Sequence, residues 1–125
     1  VVKSPEDFQR LLAFIFVKPP YLPESLKGYF AEQAARNSAH YDQVFAHLVD
    51  RYVQLEPELN KIQAPTLIIW GAEDRVLDVS SVEVMRPLLH KPSVIIMPNT
   101  GHAPMIEQPE LTAQHYRTFL QALEH

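Results

Sequence analysis

The sequence predicts an α/β fold in which an all-helical segment, residues 1–60, precedes a β-α-β-α unit of parallel strands, residues 61–125. Three observations predict it. Apolar residues recur at helical spacing through the first half. Two uninterrupted apolar, β-branched runs occupy 65–71 and 93–98, and runs without polar alternation suit parallel strands covered on both faces. Helix-start signals follow each run.

The first helix opens at Ser4-Pro5-Glu6-Asp7, with a capping Ser, Pro in the first turn, and two acids facing the positive end of the helix dipole. Phe8, Leu11, Leu12, Ile15 and Phe16 form its apolar stripe, and Lys18-Pro19-Pro20 stops it. A second helix is predicted from Pro23 to about Arg36. A third begins after Asn37 or Ser38, with Tyr41, Val44, Phe45, Leu48 and Tyr52 on one face, and Pro57 ends it or marks the linker beyond. Between the two apolar runs, Ser80 and Glu83 have capping-box spacing and open a helix that ends near Leu89. After the second run, Pro109-Glu110 starts the last helix, whose apolar face is Leu111, Phe119, Leu120 and Leu123.

Composition narrows the function classes. The chain has 125 residues, enough for one domain. A net charge of -4 and the lack of any Lys/Arg cluster argue against a nucleic-acid partner. The absence of cysteine excludes disulfides and thiolate metal sites, and fits a reducing compartment. The most apolar window, Leu11 to Val17, is far shorter than the roughly 20 residues a membrane helix needs. His40, His47, His90, His115 and His125 lack ligand spacing, so no metal site is predicted and they read as helix-face or terminal residues. Leu123-Glu124-His125 is either native or a tag remnant. The chain starts at Val1 without a Met, and a sheet of two parallel strands cannot cover its own edges. The expectation is a fragment of a larger sheet, with oligomerisation through the exposed sheet edge as the other possibility.

The informative residues follow the two runs: Trp70-Gly71-Ala72-Glu73-Asp74-Arg75-Val76-Leu77-Asp78 and Pro98-Asn99-Thr100-Gly101-His102-Ala103-Pro104. In open α/β sheets, sites form just beyond the carboxyl ends of the strands. Adjacent strands lie about 4.8 Å apart, so loops leaving neighbouring ends can bring Asp74 to His102. Histidine, with an ordinary pKa of about 6.5, suits a general base. A carboxylate can fix its tautomer and stabilise the imidazolium. Gly101 is expected to let the chain turn tightly beside His102.

These two loops in this order resemble the α/β-hydrolase superfamily, as do Ala64-Pro65-Thr66 before the first strand and Glu107-Gln108-Pro109-Glu110 before the last helix. Residues Ile69 to Ser80 look like monoacylglycerol lipases and related bacterial lipases. The segments Ser4-Pro5-Glu6-Asp7-Phe8 and Phe16-Val17-Lys18-Pro19-Pro20 resemble their helical cap. The resemblance implies the C-terminal portion of an α/β-hydrolase fold, with residues 1–60 as a cap (lid) segment and residues 61–125 as part of the core. It implies Asp74 as the triad acid, His102 as the triad base, an ester or lipid substrate and no cofactor.

One part of the pattern is missing. The family's nucleophile sits in a G-x-S-x-G elbow, and the three glycines here, Gly28, Gly71 and Gly101, form none. Nor is there a glycine-rich stretch for an oxyanion hole. The nucleophile is therefore expected in a missing N-terminal half, and the chain alone is expected not to turn over esters.

Plainer readings stand beside these. Asp74 alone would be a turn former. Asp78 reads as a helix-start acid rather than a second catalytic acid, Glu73 as a solvated loop charge, and Trp70 as a strand residue packing under the site. Met105 either lines a substrate cavity or fills the core. Phe14 and Val17, off the main stripe of the first helix, are candidate acyl-chain contacts on a lid that meets substrate or a lipid interface. The function expected is a serine hydrolase of carboxylic, lipid-type esters. Epoxide, haloalkane or carbon–carbon bond hydrolysis on the same fold is the alternative within enzymes. A non-catalytic binding or oligomerisation module is the alternative outside them. Location stays open between the cytoplasm and a membrane surface.

Overall fold

The computed structural model describes Val2 and residues 4–124. His125, read above as a terminal residue, lies outside the described residues. The element order is α1 (Pro5–Ile15), α2 (Glu24–Arg36), α3 (Ser38–Asp50), α4 (Glu56–Leu59), β1 (Leu67–Gly71), α5 (Ser81–Met85), a 3-10 turn (Arg86–Leu88), β2 (Ser93–Met97), α6 (Pro104–Glu107) and α7 (Pro109–Leu123).

Helix α1 starts as its sequence dictates: the Ser4 side chain accepts from the Asp7 N–H at 3.1 Å. It ends earlier than the prolines require. Phe16 already has extended backbone while its N–H closes the last turn on Leu12 O. Helices α1 and α2 pack through Phe8 and Phe30, whose ring centroids lie 6.1 Å apart. Helix α3 stops at Asp50, so Tyr52 lies beyond it rather than on its apolar face. Pro57 neither ends α3 nor sits in a linker. It lies in the first turn of the short helix α4, where its missing N–H costs no hydrogen bond.

The strands pair in parallel with Leu67 opposite Ser93 and Gly71 opposite Met97. Their carboxyl ends are thus level, and the loops carrying Asp74 and His102 leave from the same edge. Buried apolar residues are few: Ile68 on β1, Met97 on β2, Val82 on α5 and, within the helical segment, Ala31 on α2. The strands are not covered on both faces as their apolar runs suggested, since Ile96 is 42% exposed. The two-stranded sheet has too few layers around it. The apolar faces of α3 and α7 are open too, with Phe45, Leu48, Leu120 and Leu123 exposed. The molecule exposes 9219 Å², about a third more than the ~6,800 Å² of a compact monomer of this size.

The predicted capping box at Ser80 does not form. Ser80 is itself in the right-handed helical region and makes no side-chain bond to the helix. Asp78, two residues earlier, accepts from the Ser80 N–H at 2.9 Å, and its bonds to the Ser80 hydroxyl and N–H hold its carboxyl below the usual range. Among the described residues, no helix is long and apolar enough to cross a membrane.

Candidate active site

The loop after β1 presents Asp74 and the loop after β2 presents His102. Each carboxylate oxygen of Asp74 has its own task. Oδ1 accepts from the Val76 N–H at 2.8 Å and the Leu77 N–H at 3.0 Å, which closes a local turn of the kind Asp side chains favour. Oδ2 lies 3.0 Å from Nδ1 of His102. Partial burial opposes the charged form of Asp74. Together, the Leu77 N–H, the His102 ring, the Val76 N–H and the positive charge of the imidazolium outweigh that burial, so the carboxyl sits below its usual value of 3.8. A carboxylate only accepts, so Nδ1 carries the proton in this pair. In the neutral ring, Nε2 is then an acceptor, and it has no hydrogen-bond partner among the described residues. An imidazole so held can take a proton from a group placed against Nε2.

Both groups line a cavity of about 260 Å³ whose other walls include Ile69, Trp70, Leu77, Pro104 and Met105. Trp70 is fixed there by its Nε1–H, which donates to Leu77 O at 3.1 Å. Met105, on the short helix α6, is 61% exposed and walls the cavity instead of filling the core. Phe14 and Val17 are not brought to this cavity. Phe14 is exposed on α1, and Val17 is held by its backbone, its N–H donating to Glu107 Oε2 at 2.7 Å.

The His102 loop is pinned by hydrogen bonds at several successive backbone groups, Thr100 N–H and C=O, Gly101 N–H and His102 N–H among them. Thr100 is fully buried. Its N–H donates to Glu73 Oε2 at 3.0 Å and its carbonyl accepts the Glu73 N–H at 3.0 Å. Glu73 is exposed, as expected of a loop charge, but it also laces the two site loops together. Gln108 Nε2 donates to both Pro98 O and the Thr100 hydroxyl. The sharp turn is made by Asn99, at φ 55°, and not by Gly101. Gly101 is required for closeness: a Cβ there would lie 2.5 Å from Ile15 O and 3.0 Å from Glu107 Oε1.

Sequence reasoning missed Glu107. Its Oε1 accepts from the Gly101 N–H at 2.7 Å, and its Oε2 accepts from the N–H groups of Val17 and Lys18 at 2.7 and 3.0 Å. The only signal was its place in Glu107-Gln108-Pro109-Glu110, a phrase that resembles the family before the last helix but assigns the acid no task. A partner some 90 residues away leaves no trace in local pattern.

Comparison with known proteins follows the same direction. The model of the alpha/beta hydrolase family matches residues 3–115. Lipase 1 of Psychrobacter immobilis is 32% identical over 125 residues, covering 99% of this chain and 39% of that protein. Monoacylglycerol lipase abhd6-B of Xenopus laevis is 39% identical over 121 residues, covering 95% of this chain and 35% of that protein. A crystal structure of a membrane phospholipase A, described as a bacterial virulence factor, superposes with a TM-score of 0.94 at 60% identity, covering 100% of this chain and 40% of that one. The chain thus spans about two fifths of the length of the relatives it matches. A family match over nearly the whole sequence, on a parallel strand pair whose loops juxtapose an acid and a histidine, makes this chain a member of the alpha/beta hydrolase family.

Proposed function

We propose that this chain supplies the acid and base of a serine hydrolase acting on carboxylic esters of lipid type, under a cap formed by residues 1–60. The observation that carries the reading is the 3.0 Å contact between Asp74 Oδ2 and His102 Nδ1 at the wall of a largely apolar cavity. The nucleophile comes from a segment outside these 125 residues. Its hydroxyl loses a proton to His102 Nε2 as the oxygen attacks the ester carbonyl. The imidazolium, stabilised by Asp74, then returns that proton to the departing alcohol and leaves an acyl-enzyme. Water repeats the cycle and releases the acid. No cofactor enters this chemistry.

The lipid-type substrate is supported by the relatives, two of them lipases and one a membrane phospholipase A by name. It is supported also by the apolar lining that Ile69, Leu77 and Met105 give the cavity. The exposed apolar side chain of Phe14 on the cap fits contact with a lipid interface.

A chimera tests the reading: residues 1–125 replace the matched segment of the membrane phospholipase A. The chimera should hydrolyse p-nitrophenyl esters, and His102→Gln or Asp74→Asn should lower kcat on the order of 10³- to 10⁴-fold. A folded chimera whose rate survives His102→Gln sinks the proposal. The 125-residue chain alone should give no hydrolysis sensitive to serine reagents.

A further inference from the structure

Glu107 closes helix α6, yet none of its side-chain hydrogen bonds serves that helix. One oxygen takes the Gly101 N–H, and the other takes the N–H groups of Val17 and Lys18, where the chain leaves α1. Bonds from neutral N–H groups to a carboxylate are among the stronger ones a protein makes. The next N–H along, that of His102 itself, donates to Ile15 O at 2.8 Å. Two successive amides are thereby fixed: Gly101 by Glu107, and His102 by the last turn of α1. Gly101 is also packed so tightly that a Cβ would lie 3.0 Å from Glu107 Oε1. The backbone from which the imidazole springs has little room to shift.

We propose that Glu107 is a positioning residue for His102. Acting through the Gly101 amide, it holds the imidazole where Nδ1 meets Asp74, and it ties that placement to residues 17–18 at the end of α1. The inference rests on the acid–base reading of Asp74 and His102 above. It adds a third carboxylate, one that touches neither side chain of the pair. Glu107 differs in this from Glu73, which binds Thr100 and leaves the Gly101 and His102 amides to other partners.

The test uses the 125-residue chain uniformly labelled with ¹⁵N, so that the imidazole and the backbone amides are both read. A proton held between an imidazole nitrogen and a carboxylate gives a downfield resonance that exchanges slowly with water. In Glu107→Gln, shape is kept but one of the two accepting oxygens becomes an NH₂ group. That group cannot accept from an N–H. With two donors on Oε2 and one on Oε1, the amide oxygen stays with Val17 and Lys18, and Gly101 loses its acceptor. The variant should keep its far-UV circular dichroism while the Nδ1–H resonance moves or disappears. Exchange of the Gly101 amide should rise about tenfold or more.

A purely structural role would lower the melting temperature and leave that resonance in place. If Glu107→Gln preserves the resonance while Asp74→Asn abolishes it, the positioning role is wrong and the acid–base reading stands. If the wild-type protein shows no such resonance and Asp74→Asn changes nothing, both fall. Should Glu107→Gln fail to fold, wild-type exchange decides. Gly101 and Val17 amides protected to the same degree as those of β1 support the proposal, and unprotected exchange at Gly101 overturns it.

Discussion

Gly71 and Gly101 meet backbone to backbone: a Cβ built on Gly71 would collide with the carbonyl oxygens of Gly101 and Thr100. This contact seats the His102 loop directly on the end of β1. Backbone cannot swing aside as a flexible side chain can, so substitution there forces the loop off the strand. Gly101→Ala is expected to cost ~1–3 kcal/mol by overpacking. Gly71→Ala should cost more, because all its nearest obstacles are backbone atoms. Thermal melts should fall by several degrees for the first variant and further for the second. Either variant melting within about 2 °C of wild type would contradict the contact.

The Asp74 carboxyl gives a pH signature whose sign is fixed. Its folded value lies below its usual 3.8. The stability it contributes is therefore full above the unfolded value, and is lost as pH falls through the lower, folded one. Urea midpoints for wild type and Asp74→Asn should differ by a constant amount near neutrality and converge only in acid, below the usual carboxylate value. Parallel curves down to strongly acidic pH would mean that Asp74 gains nothing from His102, Val76 and Leu77.

Strand β2 offers an internal control on where the core lies. Met97 is 1% exposed, with the Thr112 hydroxyl 3.7 Å from its sulfur, whereas its neighbour Ile96 is 42% exposed. Met97→Ala should destabilise the chain by ~2–5 kcal/mol, and Ile96→Ala by a small fraction of that. Chemical denaturation of both variants checks it. A larger loss from Ile96→Ala would show that a partner covers the sheet face in solution.

The fold was legible where local chemistry decides it. Ser4 and Pro5 announce α1, the apolar runs announce both strands, and Gly71 and Gly101-His102 announce where a site would sit. Three things were not legible, each for a physical reason. The capping box at Ser80 failed because Asp78, two residues upstream, reaches the same amide. Helix α6 is four residues long, too short for periodicity to register, although Pro104 stands in its first turn. Glu73 reaches an amide 27 residues away, and Glu107 joins the nearby Gly101 amide to amides about 90 residues upstream, so no short window along the chain shows the whole set of partners. The apolar runs also overstated burial. They record a sheet meant to be covered on both faces, and here Ile96 is open.

The end of α1 carries a consequence for recombination. Its carbonyls at Ala13 and Ile15 are taken by Arg75 Nη1 and by the His102 N–H, one from each site loop. An engineer exchanging the proposed cap, residues 1–60, between relatives therefore has no clean seam at residue 60 alone. A transplant that takes in α1 would tear out the carbonyls on which both loops hang, whereas one that begins at Pro19 leaves that scaffolding with its owner.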